Sequence, residues 1–212
     1  MQATLDLIRK MLPPDVLSRA WIAGSAAIAP RQASDIDVWV LDTPDATALR
    51  EHAQKTWGGL ACWHAGPSIP AVDDENAGGF SGAGASEFAR KGIALVGQAT
   101  PGGQDQPIQV LTIGYKTIDE LLASFDLSCH AWAVPVETVS HLANWHALHY
   151  AIGATLPSEL PRVLMWATPA STYARLYNAC QRYGWTDPFT RHPDYARLLR
   201  EIKARTMARV AA

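Results

Sequence analysis

Two acidic residues at the start of an apolar stretch, Asp35 and Asp37, constrain this chain more than any other feature. The β-branched and aromatic residues that follow them favour a β-strand over residues 35–41. Side chains two positions apart in a strand project from the same face, so the two carboxylates would lie side by side. Like charges at that distance repel, unless a cation lies between them. The pattern therefore predicts a cation site, and hard oxygen ligands on a rigid strand suit Mg²⁺.

A second short motif, Gly24-Ser25, ends an apolar segment, and nine residues separate Ser25 from Asp35. Gly24 lets the backbone approach a ligand closely, and Ser25 can begin a helical turn whose N–H groups face an anion. The motif predicts a phosphate-binding turn one short loop away from the cation site. A purely structural alternative is a glycine turn at a strand end, followed by an acidic pair at a solvent-exposed edge.

Gly-Ser, nine intervening residues and Asp-x-Asp with apolar flanks resemble the signature of the DNA-polymerase-beta-like nucleotidyltransferase superfamily, over residues 20–41. The resemblance implies an α+β fold with a mixed β-sheet flanked by helices. It implies that Gly24 and Ser25 hold a nucleoside triphosphate, and that Asp35, Asp37 and a third acid from a neighbouring strand hold two divalent ions, Mg²⁺ or Mn²⁺. The implied reaction moves a nucleoside monophosphate to an acceptor hydroxyl and releases pyrophosphate.

The candidate for the third acid is Asp126, in the segment Phe125-Asp126-Leu127. From Ile108 to this segment the chain looks like a group of phage and large-virus nucleotidyltransferase-like proteins. That resemblance implies that Asp126 is a metal ligand and a catalytic residue, able to act as general base, at the start of a strand over 126–134. The alternative is a capping Asp at a helix-to-strand corner. Gln109 lies where relatives could carry an acid, but a neutral amide is a poor Mg²⁺ ligand.

Charge is divided unevenly along the chain. Residues 1–161 hold nine Lys and Arg against 17 Asp and Glu, a net charge of −8, whereas residues 162–212 hold nine against three, a net charge of +6. The basic part could face the phosphates of a nucleotide or polynucleotide, or it could balance the acidic part as a solvated helix face. Arg175 is the candidate contact for the triphosphate. The charge favours RNA as the acceptor, while a protein side chain and a small molecule such as an aminoglycoside stay open.

The order of elements predicts a catalytic domain over 1–135 and a helical region over 136–212, which could pack as one unit. Local signals predict an N-terminal helix over 3–12, a β-hairpin from strands 93–99 and 108–113, and a short helix over 117–123 with Thr117 as its N-cap. The helices predicted in the second part cover 136–152, 171–183 and 193–210.

Composition excludes several classes of protein. No apolar run approaches the roughly 20 residues that span a bilayer, and the start of the chain lacks a basic-then-apolar secretion signal. Three widely spaced cysteines argue against a disulfide framework. We expect a cytoplasmic protein without a membrane partner. The competing hypothesis from another class is a catalytically inactive nucleotidyltransferase-like module that senses nucleotides or binds a partner.

Overall fold

The computed structural model describes residues 2–30, 33–57, 63–65, 92–100, 106–138, 150–151, 154–156, 161, 164, 176, 179–180, 200 and 204. Within these residues the chain has an α+β fold, in which helices flank one mixed seven-stranded sheet. The predicted α+β class is therefore confirmed in this coarse form. The helices are α1 (Gln2–Met11), α2 (Ser25–Ile28), α3 (Thr47–Trp57) and α4 (Ile118–Ala123), with 3₁₀ turns at Pro14–Arg19 and Ser128–His130; the strands are β1 (Ala20–Ala23), β2 (Ile36–Val40), β3 (Trp63–Ala65), β4 (Ala94–Ala99), β5 (Ile108–Thr112), β6 (Trp132–Pro135) and β7 (Tyr150–Ala151).

The strand order is β3-β4-β5-β2-β1-β6-β7, which puts β2 at the centre of the described sheet. β2 and β5 run parallel, whereas the other neighbouring strands pair antiparallel. A central strand has hydrogen-bonded partners on both sides. The Asp-x-Asp motif therefore lies on the most enclosed strand of the sheet and not at an edge.

Alternation along β2 separates two faces of the sheet. Ile36, Val38 and Val40 point to one face, where they pack with buried residues of α1 and α3; we call it the closed face. Trp39 points to the opposite face, which we call the site face, and it packs with Leu121 and Leu122 of α4. Asp37 shares the site face with Trp39 because the two residues are two positions apart.

Several local predictions are confirmed. The N-terminal helix forms as α1, and β4 and β5 pair as the predicted antiparallel hairpin. Thr117 caps α4 through a reciprocal capping box: its hydroxyl accepts from the Glu120 N–H at 3.3 Å, and the Glu120 carboxylate accepts from the Thr117 N–H at 3.3 Å. These features depend on residues close in sequence, so sequence patterns suffice to identify them.

Two predicted elements differ from the structure. The strand over 126–134 is wrong in its first half, because a 3₁₀ turn intervenes and β6 begins only at Trp132. In that turn the His130 N–H donates to the Leu127 carbonyl at 3.0 Å, and the Ser128 hydroxyl bonds the Thr155 hydroxyl at 2.9 Å. These bonds take the place of a β-ladder.

The helix over 136–152 is wrong at its described ends. Residues 136–138 form a turn, and Tyr150 and Ala151 pair with β6 as β7. This pairing also joins residues on the two sides of position 135, which is the predicted boundary between the catalytic domain and the helical region. The described residues within the other two predicted helices are helical: Leu176, Ala179, Cys180, Arg200 and Ala204.

Candidate functional site

The pairing of β1 with β2 brings the two sequence motifs together. The antiparallel register runs from Ala20 opposite Val40 to Ala23 opposite Asp37. Gly24 directly follows β1 and Asp35 directly precedes β2, so both motifs emerge at the same end of two adjacent strands. The Gly-Ser turn and the acidic pair, nine residues apart in sequence, are therefore neighbours across one strand pair.

The backbone at Gly24 has a conformation that only glycine adopts readily, with φ +85° and ψ −151°. Apart from its two chain neighbours, no atom of the described residues lies within 4 Å of the position that a Cβ would take there. The Gly24 N–H donates to the Trp132 carbonyl at 3.0 Å, and the Gly24 carbonyl accepts from the Ala27 N–H at 3.1 Å. Ser25 begins α2, as the sequence predicts. The turn is thus fixed to the sheet, and the described residues leave the Cβ side of Gly24 open.

The two carboxylates of the acidic pair lie close enough to affect each other. Asp35 and Asp37 are both half-buried, and the Ser34 hydroxyl donates to the Asp35 carboxylate at 3.0 Å. Burial, and secondly the negative charge of Asp35, raise the pKa of Asp37 well above its usual value. Folding therefore holds a carboxylate where its charged form is unfavourable. Two hard oxygen donors in such a setting fit one Mg²⁺, which binds one or two carboxylates together with substrate phosphates.

Asp126 lies in the segment between α4 and the Ser128–His130 turn, and its side chain is buried. Its carbonyl accepts from the Leu164 N–H at 2.7 Å. The ring of its neighbour Phe125 meets Trp39 edge to face, with centroids 6.2 Å apart, so this segment runs over the site face. The described residues nevertheless contain no group of three or more His, Cys, Asp or Glu that could hold a metal ion. The structure brings Asp35 and Asp37 together and does not add Asp126 to their group.

Arg175 lies outside the described residues. Its contact with a triphosphate stays a prediction from the sequence.

A pair of glutamines continues the site across the sheet; the sequence singles out Gln109 only as a poor metal ligand, and it indicates neither Gln98 nor their pairing. The parallel register sets Gln109 of β5 beside Asp37, and the hairpin register sets Gln98 of β4 beside Gln109. The Gln109 Nε2 donates to the Gln98 Oε1 at 3.2 Å, and both side chains are half-buried. The signal in the sequence is a Gln within each of two largely apolar strands. Only the register shows that the two residues meet.

Gln106 fixes the loop that enters the acidic pair. Its Nε2 donates to the carbonyls of Pro30, at 3.0 Å, and of Ala33, at 2.5 Å. Next to it, the Pro107 carbonyl accepts from the Ile36 N–H at 2.9 Å. The residues before Asp35 are thus tied to the start of β5, which limits the movement of the first carboxylate.

Comparisons with family models, with curated proteins and with solved structures find no match to this chain. Its own residues therefore carry the functional argument. None of the described helices has the length and apolar character needed to cross a membrane.

Proposed function

We propose that this protein is a metal-dependent nucleotidyltransferase, which moves a nucleoside monophosphate from an NTP to an acceptor hydroxyl. The observation that carries the proposal is the β1–β2 register, because it sets the Gly24-Ser25 turn beside the acidic pair at one end of the sheet. A phosphate-binding turn and a cation site are both needed to hold a metal–triphosphate complex. The proposal includes the nucleotidyltransferase fold, which is a finer assignment than the α+β class described above.

In the proposed site each residue has a separate task. Asp35 and Asp37 would hold Mg²⁺, or Mn²⁺ in its place. Gly24 and Ser25 would bind the β- and γ-phosphates through the close approach that Gly24 allows, the backbone N–H groups that follow it and the Ser25 hydroxyl, because the Gly24 N–H itself donates to the Trp132 carbonyl. When bound, the metal would neutralise phosphate charge and lower the pKa of the acceptor hydroxyl. The fixed backbone of the Gly24 turn supports this assignment, because a preorganised turn binds phosphate without first having to become ordered.

The reaction conserves atoms and charge. The acceptor oxygen forms a bond to the α-phosphorus, the bond from that phosphorus to the oxygen bridging to the β-phosphate breaks, and pyrophosphate leaves with the electron pair. The acceptor proton passes to water or to a general base; that role for Asp126 stays a prediction from the sequence, because the described residues do not group Asp126 with Asp35 and Asp37. RNA is the proposed acceptor and Arg175 the proposed additional phosphate contact, both from the sequence.

The test follows label from each of the four α-³²P-labelled NTPs, with Mg²⁺ or Mn²⁺, into total RNA, into lysate protein and into the protein itself. We expect Asp37→Asn to lower transfer by about 100-fold or more, since it removes a preorganised charge from the reacting centre. Asp15→Asn is the matched control, because Asp15 is an exposed residue of the Pro14–Arg19 turn. Unchanged transfer by Asp37→Asn would refute the proposed site.

A second candidate function is a nucleotide-sensing module that binds NTP without transferring it. Two observations favour it: Gln109, and not a carboxylate, lies beside Asp37 in the sheet, and the described residues show no group of three metal-binding side chains. In that case equilibrium dialysis would detect metal-dependent NTP binding that Asp37→Asn abolishes, while no acceptor becomes labelled.

A further inference from the structure

Asp37, Gln109 and Gln98 are polar residues that lie in one row across the sheet. The neighbours in register are Ala23 on β1, then Asp37, then Gln109 on β5 and Gln98 on β4. Neighbouring strands lie about 4.8 Å apart, so the two glutamines extend the row by roughly 10 Å. They extend it away from β1, and therefore away from the Gly24-Ser25 turn. We call Gln98 and Gln109 the amide pair.

The amide pair has hydrogen-bonding capacity left over. Each side-chain amide offers two N–H donors and one carbonyl acceptor, and the bond between the pair uses one donor and one acceptor. The carbonyl of one amide and the NH₂ of the other are left on neighbouring strands, and this holds whichever amide donates. A half-buried pair of this kind matches a ligand that offers one donor and one acceptor side by side.

Two neighbouring hydroxyl groups of a sugar have this property. Each hydroxyl both donates and accepts, so a vicinal diol can satisfy both amides at once. A phosphate or a carboxylate offers acceptors only, and the amide pair carries no positive charge to attract it. The negative charge of the nearby acidic pair also disfavours an anion at this place.

The direction of attack selects the same place for the acceptor. In phosphoryl transfer the attacking and leaving oxygens lie roughly in line on opposite sides of the phosphorus. In the proposed function the leaving pyrophosphate is held by the Gly24-Ser25 turn, on the β1 side of Asp37. The acceptor then enters from the β5 side, where the amide pair lies.

We propose that Gln98 and Gln109 form an acceptor subsite that binds a neutral vicinal diol and positions its hydroxyl for attack. This inference rests on the proposed function and names the chemical class of its acceptor. A vicinal diol occurs at the terminal ribose of an RNA and in free sugars or small glycosides. Both residues act as positioning residues, because neither takes part in the bond changes.

The test measures binding, so it does not depend on turnover. The protein is titrated into a 5′-labelled RNA oligonucleotide that ends in a 2′,3′-diol, in the presence of Mg²⁺ and an equal mixture of the four α,β-methylene NTPs. Its affinity is compared with that for the same oligonucleotide ending in a 2′-deoxynucleotide. Methyl β-D-ribofuranoside is added as a competitor, to represent a free sugar. We expect about fivefold tighter binding of the diol end, since one hydrogen bond contributes on the order of 1 kcal/mol.

Gln98→Leu and Gln109→Leu should each abolish this preference while the affinity for the methylene NTPs stays the same. Gln54→Leu is the matched control, because Gln54 is exposed on α3, the helix that packs against the closed face. A merely structural role of the amide pair would weaken both oligonucleotides equally. Competition by the methyl riboside equal to that of the RNA end would identify a free sugar as the source of the diol.

The two proposals fail in different ways. Absence of Mg²⁺-dependent NTP binding, or binding that Asp37→Asn leaves intact, would refute the proposed function. Retained NTP binding, with a diol preference that is absent from the wild-type protein or persists in both glutamine variants, would refute the acceptor subsite alone.

Discussion

The two ends of the site face are built from the same strands and differ in almost every other respect. At one end Trp39, Leu111 and Ile113 are buried against Leu121 and Leu122 of α4. At the other end β2 and β5 carry Asp37 and Gln109, and the neighbouring β4 carries Gln98; all three are half-buried. Burial of the first end explains folding, because removing apolar surface from water stabilises the native state. The second end places the carboxylate of Asp37 in a half-buried position, which is unfavourable for folding. Binding of a ligand there is the most direct explanation for that carboxylate.

The length of α4 accounts for this division. Its six residues span only about 9 Å, and its capping box fixes where it begins. The helix can therefore cover the apolar end of the face and leaves the level of Asp37 to other groups. Stability and ligand binding should therefore depend on different residues of the site face.

Leu122→Ala should break the apolar end and leave the polar end intact. Leu122 is fully buried, and truncating such a residue costs about 2–5 kcal/mol of unfolding free energy. Urea denaturation followed by circular dichroism measures this loss, with the exposed Leu156→Ala as the control. Below the unfolding transition, Mg²⁺-dependent NTP binding should equal that of the wild type. A large loss of NTP affinity in the folded variant would show that the two ends are coupled.

Stability should also depend on pH through Asp37. Because its folded pKa is raised above the usual 3.8, the folded state keeps a proton that the unfolded state loses between the two pKa values. Stability contributed by this group therefore falls as pH rises through that interval, by at most about 1.4 kcal/mol per pH unit, and stays lowered above it.

The measurement compares the unfolding free energy of Asp37→Asn and of the metal-free wild type across pH. The variant lacks the titrating group, so its relative stability should increase as pH rises above about 4. A difference that does not change with pH would show that the carboxylate at position 37 carries no folding penalty.

Gln106→Leu should loosen the entry to the acidic pair with a smaller effect on stability. It removes two hydrogen bonds to the carbonyls of Pro30 and Ala33, and water can reach this half-buried position, so we expect a loss of about 1 kcal/mol. The affinity for Mg²⁺ with NTP should fall more clearly, because Asp35 is held less firmly. Unchanged metal affinity would mean that this loop does not position the carboxylate.

What the sequence predicts, and what it does not, follows from how far apart the interacting residues are. The Asp-x-Asp strand, the Gly-Ser turn and the Thr117 cap depend on neighbouring residues, and their structures agree with the local patterns. The amide pair depends on the register of three strands, and β7 depends on pairing with β6. No local pattern contains that information, which is why the sequence predicts a helix where Tyr150 and Ala151 form a strand.

The smallest expected effect concerns Trp39, which lies where the two ends of the site face meet. Within the described part of the chain, its Nε1 is buried without a hydrogen-bond partner, an arrangement that costs about 1–3 kcal/mol. Trp39→Phe removes this N–H and keeps an aromatic ring beside Phe125, while the lost ring volume costs a similar amount. We therefore expect the unfolding free energy to change by less than about 1 kcal/mol, as measured in urea. A loss of 3 kcal/mol or more would contradict this expectation and would indicate that the indole nitrogen is hydrogen-bonded in solution.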